Sequence, residues 1–337
     1  MFLSFIVPVY NVEKYLEECL DSLLDQDIDK GDYEIVCVND GSTDGSLEIL
    51  RNYEARYPNI VVVDKENGGV ATARNDGLDT ARGDYIWFFD SDDVMHPGVL
   101  KEICSVISKR KPDRLTIGIY VFGEQLTGEE RAHIAAGTLR VNSHFYDSSV
   151  CNSILRREFL LEHSCRFHYP QISHGEDTIF MYEAISRHPV QESLEIPAYL
   201  YRTRAGSAQT SDSRPSRIRK LNSYLNAAYV MQGYWQKGRR DQSTANLLMG
   251  YIWYTMHTAV RISGTEGRAA VSALKKAGLY PFRRPAECTL KKSYQTTRTD
   301  AVGKLFDRIY INLHRPWGFA AMKLFQAAIR LKHSLRK

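Results

Sequence analysis

Residues 85–93 read Tyr85-Ile86-Trp87-Phe88-Phe89-Asp90-Ser91-Asp92-Asp93, a bulky apolar run that passes at once into three carboxylates and a serine. An uninterrupted apolar run of this length is what a strand buried on both faces requires. The chain therefore leaves the middle of a sheet here and delivers acids to its edge. Three earlier segments repeat the form. Residues 3–9 are apolar and run into Tyr10-Asn11, residues 33–39 end in Asp40-Gly41-Ser42-Thr43-Asp44, and residues 60–64 lead to Asn67-Gly68-Gly69. Between them, residues 12–26, the stretch through Leu47, Ile49 and Leu50, and residues 70–81 carry apolar side chains at helical spacing, with Asp44 placed to cap the second helix. Pro97 opens a further helix to about Arg110. Repeated strand–helix–strand units predict an α/β fold with a Rossmann-like, mostly parallel sheet flanked by helices.

Beyond Gly123 a polar stretch runs to Asp147. Residues 150–162 and 177–187 read as helices, the second introduced by His174-Gly175-Glu176, and residues 199–204 as a short strand. From Pro215 onward helices dominate, over residues 217–237, 242–263 and 267–276, with two more after the loop at residues 281–285. The segment Ser211-Asp212-Ser213-Arg214-Pro215-Ser216 marks a boundary near 212–216. The expected domains are residues 1–212, with a first half at 1–120 and a second at 121–212, and an α-helical C-terminal region at 213–337.

The formal charge of +4 over 337 residues hides a split. Residues 1–260 hold 27 basic and 36 acidic side chains, whereas residues 261–337 hold 17 basic and 4 acidic. With 43% apolar and 25% charged residues, the chain can fill a core, and disordered or low-complexity classes are excluded. Its six cysteines form no C-x-x-C pair, which argues against a disulfide scaffold or structural zinc and for a reducing compartment. No signal peptide and no apolar window of bilayer length are expected, so the chain reads as cytoplasmic.

In open parallel sheets, ligands bind beyond the carboxyl ends of the strands, and four consecutive strands here send polar or acidic groups to that edge. Three crowded carboxylates raise one another's pKa unless positive charge sits among them. A hard divalent cation, Mg²⁺ or Mn²⁺, supplies it, taking one or two protein carboxylates plus phosphate oxygens. Helix capping is the bland alternative, but capping needs one carboxylate. No G-x-x-x-x-G-K-[ST] loop and no G-x-G-x-x-G after the first strand occur. A nucleotide would thus be held by a metal and side chains.

Val7-Pro8-Val9-Tyr10-Asn11, Val38-Asn39-Asp40-Gly41-Ser42-Thr43-Asp44, Asn67-Gly68-Gly69 with Arg74-Asn75, Gly83-Asp84-Tyr85-Ile86 and Asp90-Ser91-Asp92-Asp93 together resemble glycosyltransferase family 2, of GT-A fold. The match covers about residues 3–105. It continues more loosely through Leu155-Arg156-Arg157-Glu158-Phe159-Leu160, Gly175-Glu176-Asp177-Thr178-Ile179-Phe180 and Tyr201-Arg202-Thr203-Arg204-Ala205-Gly206-Ser207. The resemblance implies a UDP-sugar donor. Pro8, Val9 and Tyr10 would wall the base site, Asp40 would accept from uracil N3, and Asn67 and Arg74 would lie near base and ribose. Asp90, Ser91 and Asp92 would form the Asp-x-Asp motif, with Asp92 the direct metal ligand and Asp90 nearer ribose and metal; Asp93 has no assigned role. Asp177 would be the catalytic base of an inverting transfer, taking the acceptor proton as its oxygen attacks the anomeric carbon. A helix N-terminus would lower its pKa and the neighbouring Glu176 would raise it. Arg202, Arg204 and Ser207 would lie on a loop closing over the diphosphate. The family's Asn-Lys-Leu pattern reads Asn152-Ser153-Ile154 here, which puts acceptor contacts by a lysine at 153 in doubt.

Residues 314–337 carry six Lys/Arg and no acid, with Lys323, Arg330, His333 and Lys337 on one helical face and Trp317, Leu324, Phe325, Leu331 and Leu335 on the other. Such a helix suits an anionic membrane surface or packs its apolar face on the domain; nucleic acid is not expected, since no nucleic-acid module accompanies it. The reading implied is an inverting, metal-dependent glycosyltransferase. It would act on a glycan or lipid-linked glycan hydroxyl in bacterial-type surface polysaccharide or lipopolysaccharide synthesis, peripheral on the inner membrane face. The alternatives are transfer to a polyprenyl phosphate and a catalytically silent nucleotide-sugar-binding partner subunit.

Overall fold

Leu3–Val9 forms β1 with every residue buried, as its apolar run requires. The computed structural model describes residues 2–142, 149–167, 175–204, 213–237, 242–262 and 264–279. Ser207, His174, Cys288, the loop at 281–285 and the basic stretch 314–337 lie outside the described residues. After β1 come α1 (Glu13–Leu24), β2 (Tyr33–Asp40), α2 (Ser46–Arg56), β3 (Ile60–Lys65), α3 (Val70–Thr80), β4 (Tyr85–Phe88), β5 (Val94–Met95) and α4 (Leu100–Arg110). Next are β6 (Arg114–Phe122), α5 (Gly128–Ala135), β7 (Ser153–Arg156), α6 (Arg157–Glu162), α7 (Glu176–Ile185) and β8 (Gln191–Arg202). The helices α8 (Arg214–Gln236), α9 (Gln242–Ile262) and α10 (Gly264–Lys276) complete the described elements.

The sheet order is β3-β2-β1-β4-β7-β6-β8-β5. β1 pairs in parallel with β2 on one side and β4 on the other, so the order reverses between β1 and β4. That reversal opens the crevice in which doubly wound sheets place ligands, and it is flanked by Tyr10 after β1 and Asp90 after β4. β7 runs antiparallel between β4 and β6, β8 joins β6 in parallel, and β5 pairs antiparallel with the end of β8. The last pairing brings Val94 opposite Leu200, which ties the segment after the Asp-rich turn to the strand that carries Arg202.

Several expectations need correction. Residues 150–162 are not one helix: Ser153–Arg156 is a buried strand, and only Arg157–Glu162 is helical. Ser153 is wholly buried and its Oγ accepts from Arg114 Nε at 3.1 Å, so position 153 serves the sheet interior. Pro97 belongs to a turn with Gly98, and its helix starts at Leu100. The strand expected at 199–204 begins at Gln191, ends at Arg202, and carries a register shift against β6. Asp44 does accept from the Ser46 amide at 3.0 Å at the start of α2, and it also accepts from Glu13 N at 3.1 Å.

By internal packing the chain divides into a sheet unit, residues 1–170 with 176–210, and a helical unit, residues 171–175 with 211–337. In the helical unit, Ser213 caps α8 by accepting from Ser216 N, and Pro215 sits in the first turn. Leu221, Met231, Ile252, Met256 and Leu274 are buried there. The described cysteines are all free thiols, none paired in a disulfide. Among the described residues no helix is long and apolar enough to cross a membrane.

α3 lies on β1 through Gly77, where an added Cβ would run into Ile6 Cγ2 and stand 3.4 Å from Val38 Cγ2. Helix propensity favours Gly77→Ala by about 1 kcal/mol, whereas overpacking a buried site costs about 1–3 kcal/mol. The clash is with β-branched side chains fixed in the sheet, so it wins. Urea unfolding is expected to show a net loss of up to about 2 kcal/mol; a stabilised variant would contradict this packing.

Candidate active site

The carboxyl ends of β1, β2 and β4 place the first group of predicted residues. Pro8 and Val9 are buried in β1, while Tyr10 is 52% exposed at its end. Asn11 has a φ of +50°, and its Oδ1 accepts from Thr43 N at 2.8 Å, joining the turns after β1 and β2. Asp40 is buried. Its Oδ1 accepts from Lys65 Nζ at 2.9 Å and Gly68 N at 2.8 Å, and its Oδ2 from Gly69 N at 2.7 Å. A carboxylate offers about four acceptor positions, so this scaffold leaves room for one further donor. Asn67 is exposed, and its backbone N would lie 2.7 Å from a Cβ on Gly41, whose φ is +69°; glycine is required there.

Arg74 is the main departure. The residue expected near base and ribose, or else solvated, is buried between two acids, donating through Nη2 to Asp90 Oδ1 and through Nη1 to Glu176 Oε1, each at 2.9 Å. Its guanidinium lies over the Phe167 ring at 5.4 Å. Burial disfavours the cation, but the carboxylates of Asp90 and Glu176 more than offset it and hold the Arg74 pKa above its ordinary value. This ion pair joins the end of β4 to the first residue of α7.

The other oxygen of Asp90 accepts from the Cys151 thiol at 3.3 Å, and the Asp90 amide donates to Tyr199 Oη at 3.2 Å. Ser91 is buried. Asp92 is partly exposed, and its Oδ2 accepts from Arg204 Nε at 2.6 Å. Asp93 is buried; it accepts from Tyr199 Oη and, at 2.7 Å, from the Arg202 amide. Burial and the charges of Asp92 and Asp90 push the Asp93 carboxyl well above the usual carboxylate range.

Arg202 is not on a loop. It ends β8 with its side chain buried, donating to the Asp92 carbonyl at 2.7 Å, the Glu124 carbonyl and Glu18 Oε2 at 2.6 Å. Its guanidinium lies over the rings of Tyr15 and Phe122 at 5.1 and 4.8 Å. So fixed, it clamps the Asp-rich turn to α1 and β8. Arg204 follows the strand and lies against Asp92, partly exposed.

Asp177, in the first turn of α7, is partly exposed, and its Oδ1 accepts from Thr178 N at 2.7 Å. Burial and the neighbouring Glu176 raise its pKa to about 7, against the lowering influence of Arg74. Of the two opposed effects expected at this helix start, the raising one prevails. A carboxylate poised near neutrality has the property a general base needs.

Thus Arg74, Asp90, Asp92, Asp93, Arg202, Arg204 and Asp177 form one connected carboxylate–arginine cluster, while Asp40 and Asn67 belong to an adjoining group at the end of β2. Sequence reading missed Lys65, Glu18, Cys151 and Tyr199. Lys65 sits two residues before the Asn67-Gly68-Gly69 turn, which is the signal that could have found it; Glu18, Cys151 and Tyr199 reach the site only through the fold. Among the described residues no three His, Cys, Asp or Glu side chains converge as a complete metal cage. The donor set still suits a hard divalent cation, which needs one or two carboxylates when phosphates and water complete its shell. Asp92 is partly exposed, with its Oδ2 on Arg204.

Arg74→Met is expected to leave Asp90 and Glu176 facing each other without their cation. Breaking a buried pair costs about 3–5 kcal/mol, and the part-exposure of Asp90 argues for the lower end. Urea unfolding should show a loss of about 3 kcal/mol; a change within 0.5 kcal/mol, the usual range for a surface substitution, would contradict the placement.

The family model "Glycosyl transferase family 2" matches residues 4–164. Over 253 residues the chain is 31% identical to the poly(ribitol-phosphate) beta-N-acetylglucosaminyltransferase TarS of Staphylococcus aureus, covering 74% of this chain and 44% of TarS. Over 120 residues it is 44% identical to the poly(ribitol-phosphate) beta-glucosyltransferase of Bacillus spizizenii, covering 35% of this chain and 19% of that enzyme. It thus spans less than half the length of these curated relatives. The crystal structure of S. aureus TarS 1–349 in complex with UDP-GlcNAc superposes with a TM-score of 0.70 at 22% identity, covering 98% of this chain and 92% of that one. The mannosyltransferase PcManGT of Pyrobaculum calidifontis, in complex with GDP-Man and Mn²⁺, does so with a TM-score of 0.52 at 16% identity, over 99% and 87%. The fold of this chain is GT-A, and its residues 4–164 form a glycosyltransferase family 2 domain.

Proposed function

We propose that the chain transfers a sugar from a UDP-sugar, with inversion, to a hydroxyl of a bacterial surface glycan or polyol-phosphate polymer. The observation that carries this reading is geometric: Asp177 stands in the first turn of α7, whose first residue, Glu176, is ion-paired through Arg74 to Asp90 at the end of β4, and burial and Glu176 raise its pKa. The names of the relatives support the acceptor class, two of them acting on poly(ribitol-phosphate).

In this mechanism an acceptor hydroxyl hydrogen-bonds to Asp177. Its oxygen attacks the anomeric carbon from the face opposite the nucleotide, its proton passes to the Asp177 carboxylate, and the bond from that carbon to the diphosphate oxygen breaks to release UDP. Asp40, with its carboxylate oriented by Lys65 and two backbone amides, accepts from the uracil N3–H. Tyr10, exposed at the end of β1, together with Pro8 and Val9, walls the base. Arg204 places positive charge beside the turn where the diphosphate would lie. A divalent cation held by Asp92, with Asp90 close by, would neutralise charge on the departing diphosphate. The helices described within residues 213–279 belong to a C-terminal region in this reading, and the basic stretch 314–337 brings the enzyme to an anionic membrane face.

UDP released from UDP-GlcNAc and UDP-glucose, with and without poly(ribitol-phosphate), tests the reading. UDP binding without any turnover would instead favour a silent nucleotide-sugar binder. Asp177→Asn should keep UDP affinity and lose about 10²–10⁴ in kcat. Because the base must be ionised, and its pKa is raised to about 7, kcat/KM of the parent enzyme should fall tenfold per pH unit below about pH 7 and level off above it. A flat profile between pH 5 and 8 would contradict the assignment. Asp92→Asn should abolish the gain in UDP affinity that Mn²⁺ confers in calorimetry; an unchanged gain would remove Asp92 as ligand.

A further inference from the structure

Asn75 follows Arg74 on α3. Consecutive residues of a helix diverge by about 100°, and these two side chains take different partners. Arg74 bridges Asp90 and Glu176. Asn75 grips the main chain of Phe167, 92 residues away: its Nδ2 donates to the Phe167 carbonyl and its Oδ1 accepts from the Phe167 amide, each at 2.9 Å. One side-chain amide thus pairs with both polar groups of one residue, as a neighbouring antiparallel strand would. Aspartate could not do the same, since its second oxygen would face the carbonyl without a proton to donate.

The Phe167 ring is buried and lies parallel to that of Phe180, with centroids 4.1 Å apart and planes 2° apart. Phe88 stands edge-on to both, at 5.1 and 5.5 Å. Phe180 lies in α7 three residues after Asp177, so the two share a helix face one turn apart. Adjacent residues of α3 therefore hold α7 at two points: Arg74 by the Glu176 side chain, and Asn75, through Phe167, by the ring of Phe180. All of these residues belong to the sheet unit. Stacked rings tolerate a range of offsets, so the stack carries a position to α7 only if Phe167 is itself fixed, and the paired bonds from Asn75 fix it. We propose that Asn75 is a positioning residue for the base: by holding Phe167 it fixes α7 through the Phe167–Phe180 stack, and so sets the approach of Asp177 to the acceptor hydroxyl. This rests on the reading of Asp177 as the base. An amide that merely satisfied the Phe167 main chain would affect stability alone; a positioning amide affects the chemical step, because small displacements of a reacting group are costly in rate.

Asn75→Ala, which removes both bonds, and Phe167→Leu, which keeps them and removes the stack, test it in the full chain, with UDP-GlcNAc and UDP-glucose as donors and water or poly(ribitol-phosphate) as acceptor. Each variant should lower kcat for UDP release by about 10–100-fold, with donor KM and the calorimetric UDP affinity within about twofold of the parent. Added to Asp177→Asn, Asn75→Ala should cost no more than about a further twofold, because the group it positions is already gone. A parent-like kcat in either variant, a fall in kcat matched by lost UDP affinity, or the full loss repeated in the Asp177→Asn background would each overturn the proposal. Hydrogen exchange supplies a readout free of turnover. Amides of residues 180–185 should exchange faster in Asn75→Ala while those of β1 do not, and unchanged exchange would overturn the proposal as well. Asp177→Asn with unimpaired turnover would show that the base assignment had failed, while exchange would still judge whether Asn75 holds α7.

Discussion

Arg74 stands between Asp90 and Glu176, and the rest of the site is arranged around the problem that this ion pair solves. A parallel sheet that ends its strands in acids concentrates negative charge where little water reaches, and carboxylates so placed must either pair or take up protons. The chain uses both routes. Arg74 pairs with Asp90 and Glu176, Arg204 with Asp92, and Arg202 with Glu18 while its amide serves Asp93. Asp93 and Asp177, which burial and neighbouring acids burden most, are pushed toward the protonated form. One of these has a structural use, since Asp93 meets Tyr199 and registers the Asp-rich turn against β8. The other has the tuned basicity that proton abstraction needs.

The sequence made the sheet's first half and the carboxylate edge legible for one physical reason. In β1, β2 and β4 the strands are covered on both faces, so their apolar runs are unbroken and stop at Asn, Asp or Gly. The second half hid itself. β7 has four residues and passes into α6 with no breaker, so Ser153–Glu162 reads as one helical pattern. β6 opens on a buried arginine, Arg114, which is satisfied by Ser153 and Gln191 across neighbouring strands. The first half of β8 alternates exposed and half-buried residues, the pattern of a strand with one solvated face, and its Glu and Ser residues conceal it. α5 carries a Thr127–Glu130 capping box but no buried residue, so it has a start signal and no apolar stripe. In the site the acids were readable because they end strands. Their partners were not, because Arg74 to Glu176 spans 102 residues and Arg202 to Glu18 spans 184, and no local pattern records such pairings.

The same topology separates two tasks. The reversal between β1 and β4 opens a crevice at the strand ends, and in the proposed function a nucleotide fills it, with Asp40 preset by Lys65 and the amides of Gly68 and Gly69. Asp177 enters from α7, far along the chain, and the Arg74 bridge holds the start of that helix to the end of β4. One buried cation thus ties the end of β4 to the start of α7, a task for which an arginine has two separate arms, where a solvated helix residue was one expectation.

The central claim is a single displacement with Asp177 as base, and the configuration of the sugar leaving the enzyme reports on it directly. Time-resolved proton NMR of the sugar first released or transferred from α-linked UDP-GlcNAc or UDP-glucose, recorded before mutarotation, measures that configuration. The account predicts the β anomer as the initial product; an initial α anomer would contradict it.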